Sequence, residues 1–189
     1  MSDLTILEIH DKCLMATQEV IHDFGWEKIH VGTLDNHDKG QLKAGINDSV
    51  LNWSWAMERY IGGADDGILD ISLKIVDHTA PNILHAVIIC KYDERRRQFS
   101  ICMLENFIAD EETVLTGNVL IIALIYSTTF CAITELEHVY IQDPTDEAKP
   151  RYRSYGFAQV WDDHDKMSAE VIDILKSVRE KVNDIDFNE

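Results

Sequence analysis

Residues 138–157, HVYIQDPTDEAKPRYRSYGF, decide how the rest of this chain is read. The segment opens with apolar and β-branched residues that predict a short strand over 137–142. Pro144 and Pro150 bracket a polar turn, and a helical segment follows that Gly156 ends. Residues 157–161 then predict a last short strand.

Working outward, an apolar run predicts a long helix over 116–135 immediately upstream. Before it, three β-branched runs at 68–76, 83–92 and 98–107 are separated by turn signals, including the charged connection 93–97. They predict an antiparallel meander. Residues 4–24 carry Leu7, Leu14 and Ile21 at a spacing of seven, with Ile6, Cys13 and Val20 alongside, and Gly25 closes that helix. The polar stretch 32–45 reads as a loop or a short helical turn, and 62–67 as a loop. Between them, 49–61 reads as a helix with Val50, Trp53, Met57 and Ile61 on one side, and Trp53 and Trp55 split between core and surface. Downstream, 167–183 is amphipathic, with Val171, Ile174, Leu175, Val178 and Val182 facing inward. The order of elements predicts an α/β fold with a mixed, mostly antiparallel central sheet flanked by helices.

Composition bounds the function. In 189 residues there are 34 Asp and Glu against 17 Lys and Arg, a formal net charge of −17. Such a surface repels nucleic acid and anionic membranes, and the triplet Arg95, Arg96, Arg97 is too small to reverse that field. A small cationic amine or a basic protein is the expected partner. Cys13, Cys90, Cys102 and Cys131 form neither a CxxC pair nor a metal spacing, so no metal is expected, and buried, inert thiols suit a reducing, cytoplasmic setting. The apolar run 119–133 is shorter than the roughly 18–20 residues a membrane span needs and contains Ser127, Thr128 and Thr129, so it reads as a buried helix.

The stretch that opened the argument resembles the C-terminal part of the Gcn5-related N-acetyltransferases (GNAT). In that family a strand runs into a loop and then a helix ending in Tyr-x-x-x-Gly-Phe. Here Tyr152, Gly156 and Phe157 match the helix end, and Asp143, Pro144, Thr145 and Asp146 occupy the loop. The resemblance covers about residues 45–162. It implies a single domain over 1–189: N-terminal helices at 4–62, the sheet and cofactor-side core at 68–162, and an added C-terminal helix at 167–183. It also implies two central strands that splay apart to take acetyl-CoA, with the pyrophosphate held at the N-terminus of the long helix. Tyr152 becomes the candidate general acid and Glu105, near the end of the third meander strand, the candidate base. Thr116, Gly117, Asn118, Val119 and Asp146 become the candidate cofactor-binding residues.

The family's cofactor loop, Gln/Arg-x-x-Gly-x-Gly/Ala, is altered here to ETVLTG at 112–117. Gly117 fits the last position, whereas Glu112 replaces a polar or cationic residue and Leu115 replaces the first glycine. A leucine side chain is expected to block the backbone's approach to phosphate, and Glu112 to repel it. The resemblance therefore implies acetyl transfer to an amine. The altered loop leaves as its alternative a catalytically inactive GNAT-like interaction or regulatory module, for which the C-terminal helix could supply a homodimer surface.

Overall fold

The computed structural model describes residues 4–46, 49–60 and 67–186, the side chains of 184–186 excepted. The helices are α1 (Ile6–Asp23), α2 (Asn36–Ala44), α3 (Trp53–Tyr60), α4 (Val119–Thr134), α5 (Lys149–Arg153) and α6 (Val171–Asp186). The strands are β1 (Ile29–Thr33), β2 (Ile68–Asp70), β3 (Leu73–Asp77), β4 (Ala86–Asp93), β5 (Gln98–Asn106), β6 (His138–Gln142), β7 (Ala158–Val160) and β8 (Asp163–Glu170). They form one eight-stranded sheet in the order β1-β3-β4-β5-β6-β8-β7, with β2 also against β4. All strand pairs are antiparallel except β5 with β6. The expected mixed, mostly antiparallel sheet with flanking helices is thus the one observed.

Strand β4 shows why the sheet has helices on both faces. Its alternate residues Ala86, Ile88, Cys90 and Tyr92 enter the larger core with α1, α4 and α6. Val87 and Ile89 enter a second core with Leu42 of α2 and Trp53, Ala56 and Met57 of α3. Helix α4 is apolar around its circumference because α1, α6 and the sheet all pack against it. Its hydroxyls at Ser127, Thr128 and Thr129 donate to carbonyls one turn back, so they cost little when buried. Among the described residues no helix is long and apolar enough to cross a membrane. Cys13, Cys90, Cys102 and Cys131 carry free thiols, and burial pushes those of Cys13, Cys102 and Cys131 up to about 12.

Several expectations change. Leu7 is 70% exposed, and the buried stripe of α1 is Ile9, His10, Cys13, Thr17 and Ile21, where two polar residues obscured the apolar pattern. Thr17 is satisfied by the Cys13 carbonyl, and His10 by the hydroxyls of Thr33 and Tyr126. The stretch around Gly32 and Gly45 holds strand β1 and a capped helix, α2, which Lys74 of β3 clamps through Asp38 at 2.8 Å. The run 68–76 is two strands, broken where Asp70 accepts the N–H of Ser72. Val50 lies outside α3 and faces solvent, while Ile61 and the loop residues 62–66 fall outside the described residues. Trp53 is buried and Trp55 exposed, as their opposite phases implied.

The largest difference is at the C-terminus. Residues 167–170 belong to β8, not to the final helix, because Met167 pairs with Ile141 and Ala169 with Val139. Within α6, Ile174, Val178 and Val182 are buried, whereas Leu175 is largely exposed.

Burial pushes the imidazole pKa of His10 down, against opposing pulls from Asp11 and Asp70. The folded state thus keeps His10 neutral, whereas the unfolded chain takes up a proton below about pH 6.5. This contribution is full above that value and is lost as the pH falls. Urea unfolding midpoints should therefore drop between about pH 7 and pH 5, with a smaller drop in His10→Gln; equal slopes in the two proteins would remove His10 as the cause.

Candidate active site at a splayed strand pair

Strands β5 and β6 run parallel for only three residue pairs: Phe99 with Val139, Ser100 with Tyr140 and Ile101 with Ile141. Just beyond, the β4–β5 register shifts. Ile89 faces Met103 while Cys90 faces Ile101, which leaves Cys102 as an extra, unpaired residue of β5. Such a bulge bends a strand and increases its twist. Side-chain packing records it, since Phe99, Ile101 and Leu104 touch the larger core while the adjacent Cys102 and Met103 touch the smaller one. Beyond Ile101, the β5 edge that faced β6 has no strand partner among the described residues.

A cavity of about 480 Å³ fills the opening. Its walls come from Cys102, Met103 and Leu104 of β5, Gln142 and the loop after β6, α3, Leu120 of α4, and Arg151 and Tyr152 of α5. Tyr152 is fixed by the end of its own helix. Gly156, at φ +97°, reverses the chain, its N–H bonding the carbonyl of Arg153 and that of Phe157 the carbonyl of Tyr152. This is a Schellman closure, and its usual apolar contact is the Tyr152 ring meeting the buried Phe157 edge-on at 6.3 Å. Among the described residues the Tyr152 hydroxyl has no hydrogen-bond partner, and burial pushes its phenol pKa up.

Asp143 sits where β6 leaves the sheet, with φ +50°. Its Oδ2 accepts from the Tyr60 hydroxyl at 2.7 Å and from Arg59 Nη2 at 2.9 Å and Nε at 3.0 Å, while Oδ1 accepts from Gln142 at 3.1 Å. Burial opposes ionisation of this carboxyl, but the bonds from Tyr60, Gln142 and Arg59 outweigh it and hold the pKa below the usual carboxylate range. The pair thereby ties the C-terminal end of α3 to the mouth of the splay. At the opposite wall, α4 begins at Val119, and among the described residues the N–H groups of Gly117, Val119, Leu120 and Ile121 have no backbone acceptor. Arg151 reaches this helix start and donates to the Gly117 carbonyl.

No family model matches the chain, and no curated protein matches it in sequence. Solved structures do. AtaTR bound with AcCoA superposes with a TM-score of 0.56 at 10% identity, covering 79% of this chain and 98% of that one. A chimera of the spermidine N-acetyltransferase SpeG from Vibrio cholerae and hSSAT gives 0.52 at 12%, covering 79% and 99%. AtaT complexed with acetyl-methionyl-tRNAfMet gives 0.54 at 8%, covering 78% and 98%. The fold is that of the GNAT acetyltransferases. At these identities the likeness is one of architecture.

Within the GNAT fold, the structure redistributes the residues singled out in the sequence. Tyr152 lines the cavity. Gly117, Asn118 and Val119 form the start of α4; Gly117 has φ +75° and open space where a Cβ would stand. Asn118 turns its amide back to the Val114 carbonyl, and the Thr116 hydroxyl is used within the turn, bonding Glu111 and Thr113. Leu115 does not obstruct the helix start, because its side chain is buried in the larger core. Glu112 is exposed to solvent. Asp146 does not line the cavity; its side chain is 95% exposed and pairs with Lys149.

Glu105 is also not free to act as a base. Oε1 accepts from Trp53 Nε1 at 2.8 Å, the Leu51 N–H at 3.1 Å and the Ser49 hydroxyl at 3.2 Å, and Oε2 accepts from the Val50 N–H at 2.8 Å. It is a strap holding the entry to α3 against β5. Sequence reasoning missed Asp143 and Arg151 as site residues. The signal for both was their place beside Pro144 and Tyr152 in the stretch already quoted, but their partners lie far away in sequence.

Glu105→Ala should lower the unfolding free energy by about 2 kcal/mol, since charge-assisted bonds to several donors are lost. It should also speed hydrogen exchange at Val50 and Leu51. An unchanged denaturation midpoint would return Glu105 to the candidate bases.

Proposed function

We propose that this chain is an acetyltransferase that uses acetyl-CoA to acetylate an amine within the β5–β6 splay. The observation that carries the reading is Tyr152, a half-buried phenol with no hydrogen-bond partner among the described residues, facing the cavity that the bulge at Cys102 opens. When bound, acetyl-CoA supplies an activated thioester; everything else is asked of this chain's own side chains and backbone.

The residues present fit that group. The unpaired edge of β5 offers backbone partners to the amides of a pantetheine arm. The unpaired N–H groups at the start of α4, the helix dipole and the Arg151 guanidinium favour a pyrophosphate. Arg151 thereby supplies from α5 the cation that the loop at 112–117 lacks. Tyr152, a phenol that is protonated at neutral pH as an ordinary tyrosine is and whose pKa burial raises further, can donate its proton to a departing thiolate. Asp143 stays ionised, and its Oδ1, which among the described residues accepts only the Gln142 bond, can orient the incoming amine or the water that takes its proton.

Calorimetric titration with acetyl-CoA, with CoA as control, should give micromolar binding. Tyr152→Phe should keep that affinity and lower turnover by about 100-fold, the scale of one positioned acid. Arg151→Ala should weaken acetyl-CoA about tenfold, or about 1.4 kcal/mol. No heat and no thermal shift at millimolar ligand would overturn the enzyme and leave the non-catalytic module.

A further inference from the structure

A second cavity, of about 300 Å³, lies against the same splay and shares Tyr60, Cys102 and Gln142 with the first. Its charge runs against the whole molecule. The chain carries 34 acidic and 17 basic residues, yet this cavity is lined by Arg59, Lys91, Arg96 and Lys166, with Asp93 as the carboxylate among its described lining residues. Asp93 is already engaged, because its Oδ1 accepts the N–H groups of Arg95 and Arg96 in the β4–β5 turn.

The fold brings these cations to one cavity from four elements: Lys91 from β4, Lys166 from β8, Arg59 from α3 and Arg96 from the β4–β5 turn. Val87 and Ile89 of β4 bury themselves under α3, and Lys91 continues the same face where the helix ends. Its ammonium lies 5.4 Å from the centroid of the Tyr60 ring, whose hydroxyl is tied to Asp143. Lys166 stands opposite Gln142 in the β6–β8 register, so it faces the mouth from the other side. Arg59 has Asp143 at 2.9 Å and Lys166 has Asp163 only at 3.9 Å. For Lys91 and Arg96 no ion pair occurs among the described residues.

Resting on the acetyltransferase reading, we infer that the acceptor is a small anionic amine, carrying a phosphate or carboxylate that Lys91, Arg96 and Lys166 hold while its amine points into the splay. Arginine and lysine together match the oxygens of such a group. The cavity is small and the chain as a whole strongly acidic, which selects a compact anion over a long polyanion. This reverses the expectation, drawn from net charge, of a cationic amine or a basic protein.

The test uses the full chain at saturating acetyl-CoA, with O-phosphoethanolamine, ethanolamine and spermidine as matched probes. O-phosphoethanolamine should bind saturably and at least tenfold more tightly than either of the others. Lys91→Met with Arg96→Gln should remove that preference, while acetyl-CoA affinity stays within twofold and the circular-dichroism melt stays cooperative. If the double variant does not fold, Arg96→Gln alone, in the exposed turn, should still weaken the phosphorylated probe several-fold. Equal binding of the probes, tighter binding of spermidine, or a preference untouched by the variants would overturn the inference. So would stronger, salt-sensitive capture of an RNA oligonucleotide through the same residues. Separate titration of acetyl-CoA keeps the two readings apart: its failure with intact anion binding would sink the acetyltransferase and spare the anion site.

Discussion

Strand β6 can follow β5 for only three residue pairs, and the rest of the site depends on that limit. The extra residue at Cys102 bends β5 away, and β6 ends at Gln142, where Asp143 takes a left-handed conformation. Two strands that stop pairing inside a sheet leave backbone groups that something must satisfy. On the β4 side of the gap the sheet is buried on both faces, under α1 and α4 and under α3, so the opening is not relieved by a rearrangement there. The gap is therefore a fixed feature of the packed molecule, and both cavities border it.

Two carboxylates hold α3 over this gap from opposite ends. Glu105 gathers the donors of residues 49–53 at the start of the helix. Asp143 takes Arg59 and Tyr60 at its end. Each carboxylate has most of its oxygen capacity filled by protein donors, which fits positioning better than proton shuttling. The Tyr152 phenol differs from both in having no such partner among the described residues. In one small region, two carboxylates tied to protein donors thus stand beside a phenol that has no partner among the described residues.

Charge behaves in a similarly local way. A net charge of −17 describes the average surface, but screening limits exposed charges to about 8–10 Å in physiological salt. A ligand entering the cavity beside α3 meets Lys91, Arg96 and Lys166 before it meets that average. Net charge thus bears on large partners, which sample the whole face, and says little about a molecule that fits one cavity.

The sequence by itself determined the elements whose causes are local. Helix α4 follows from an apolar run too short for a membrane, and the setting of Tyr152 follows from the glycine and phenylalanine that close its helix within five residues. The antiparallel meander, the buried Trp53 and the exposed Trp55 were legible for the same reason. Tertiary structure decided whatever rests on a partner distant in the chain. It made a strand of 167–170, because Val139 and Ile141 lie alongside, and it turned Leu115 into the core rather than toward the helix start. It also brought the donors of 49–53 onto both oxygens of Glu105. Arg151 met Gly117, and four cations gathered in an acidic chain, only when folding brought distant helices, turns and strands together. Local periodicity and turn chemistry act over a few residues, whereas a side chain's role is set by neighbours that only the folded sheet supplies.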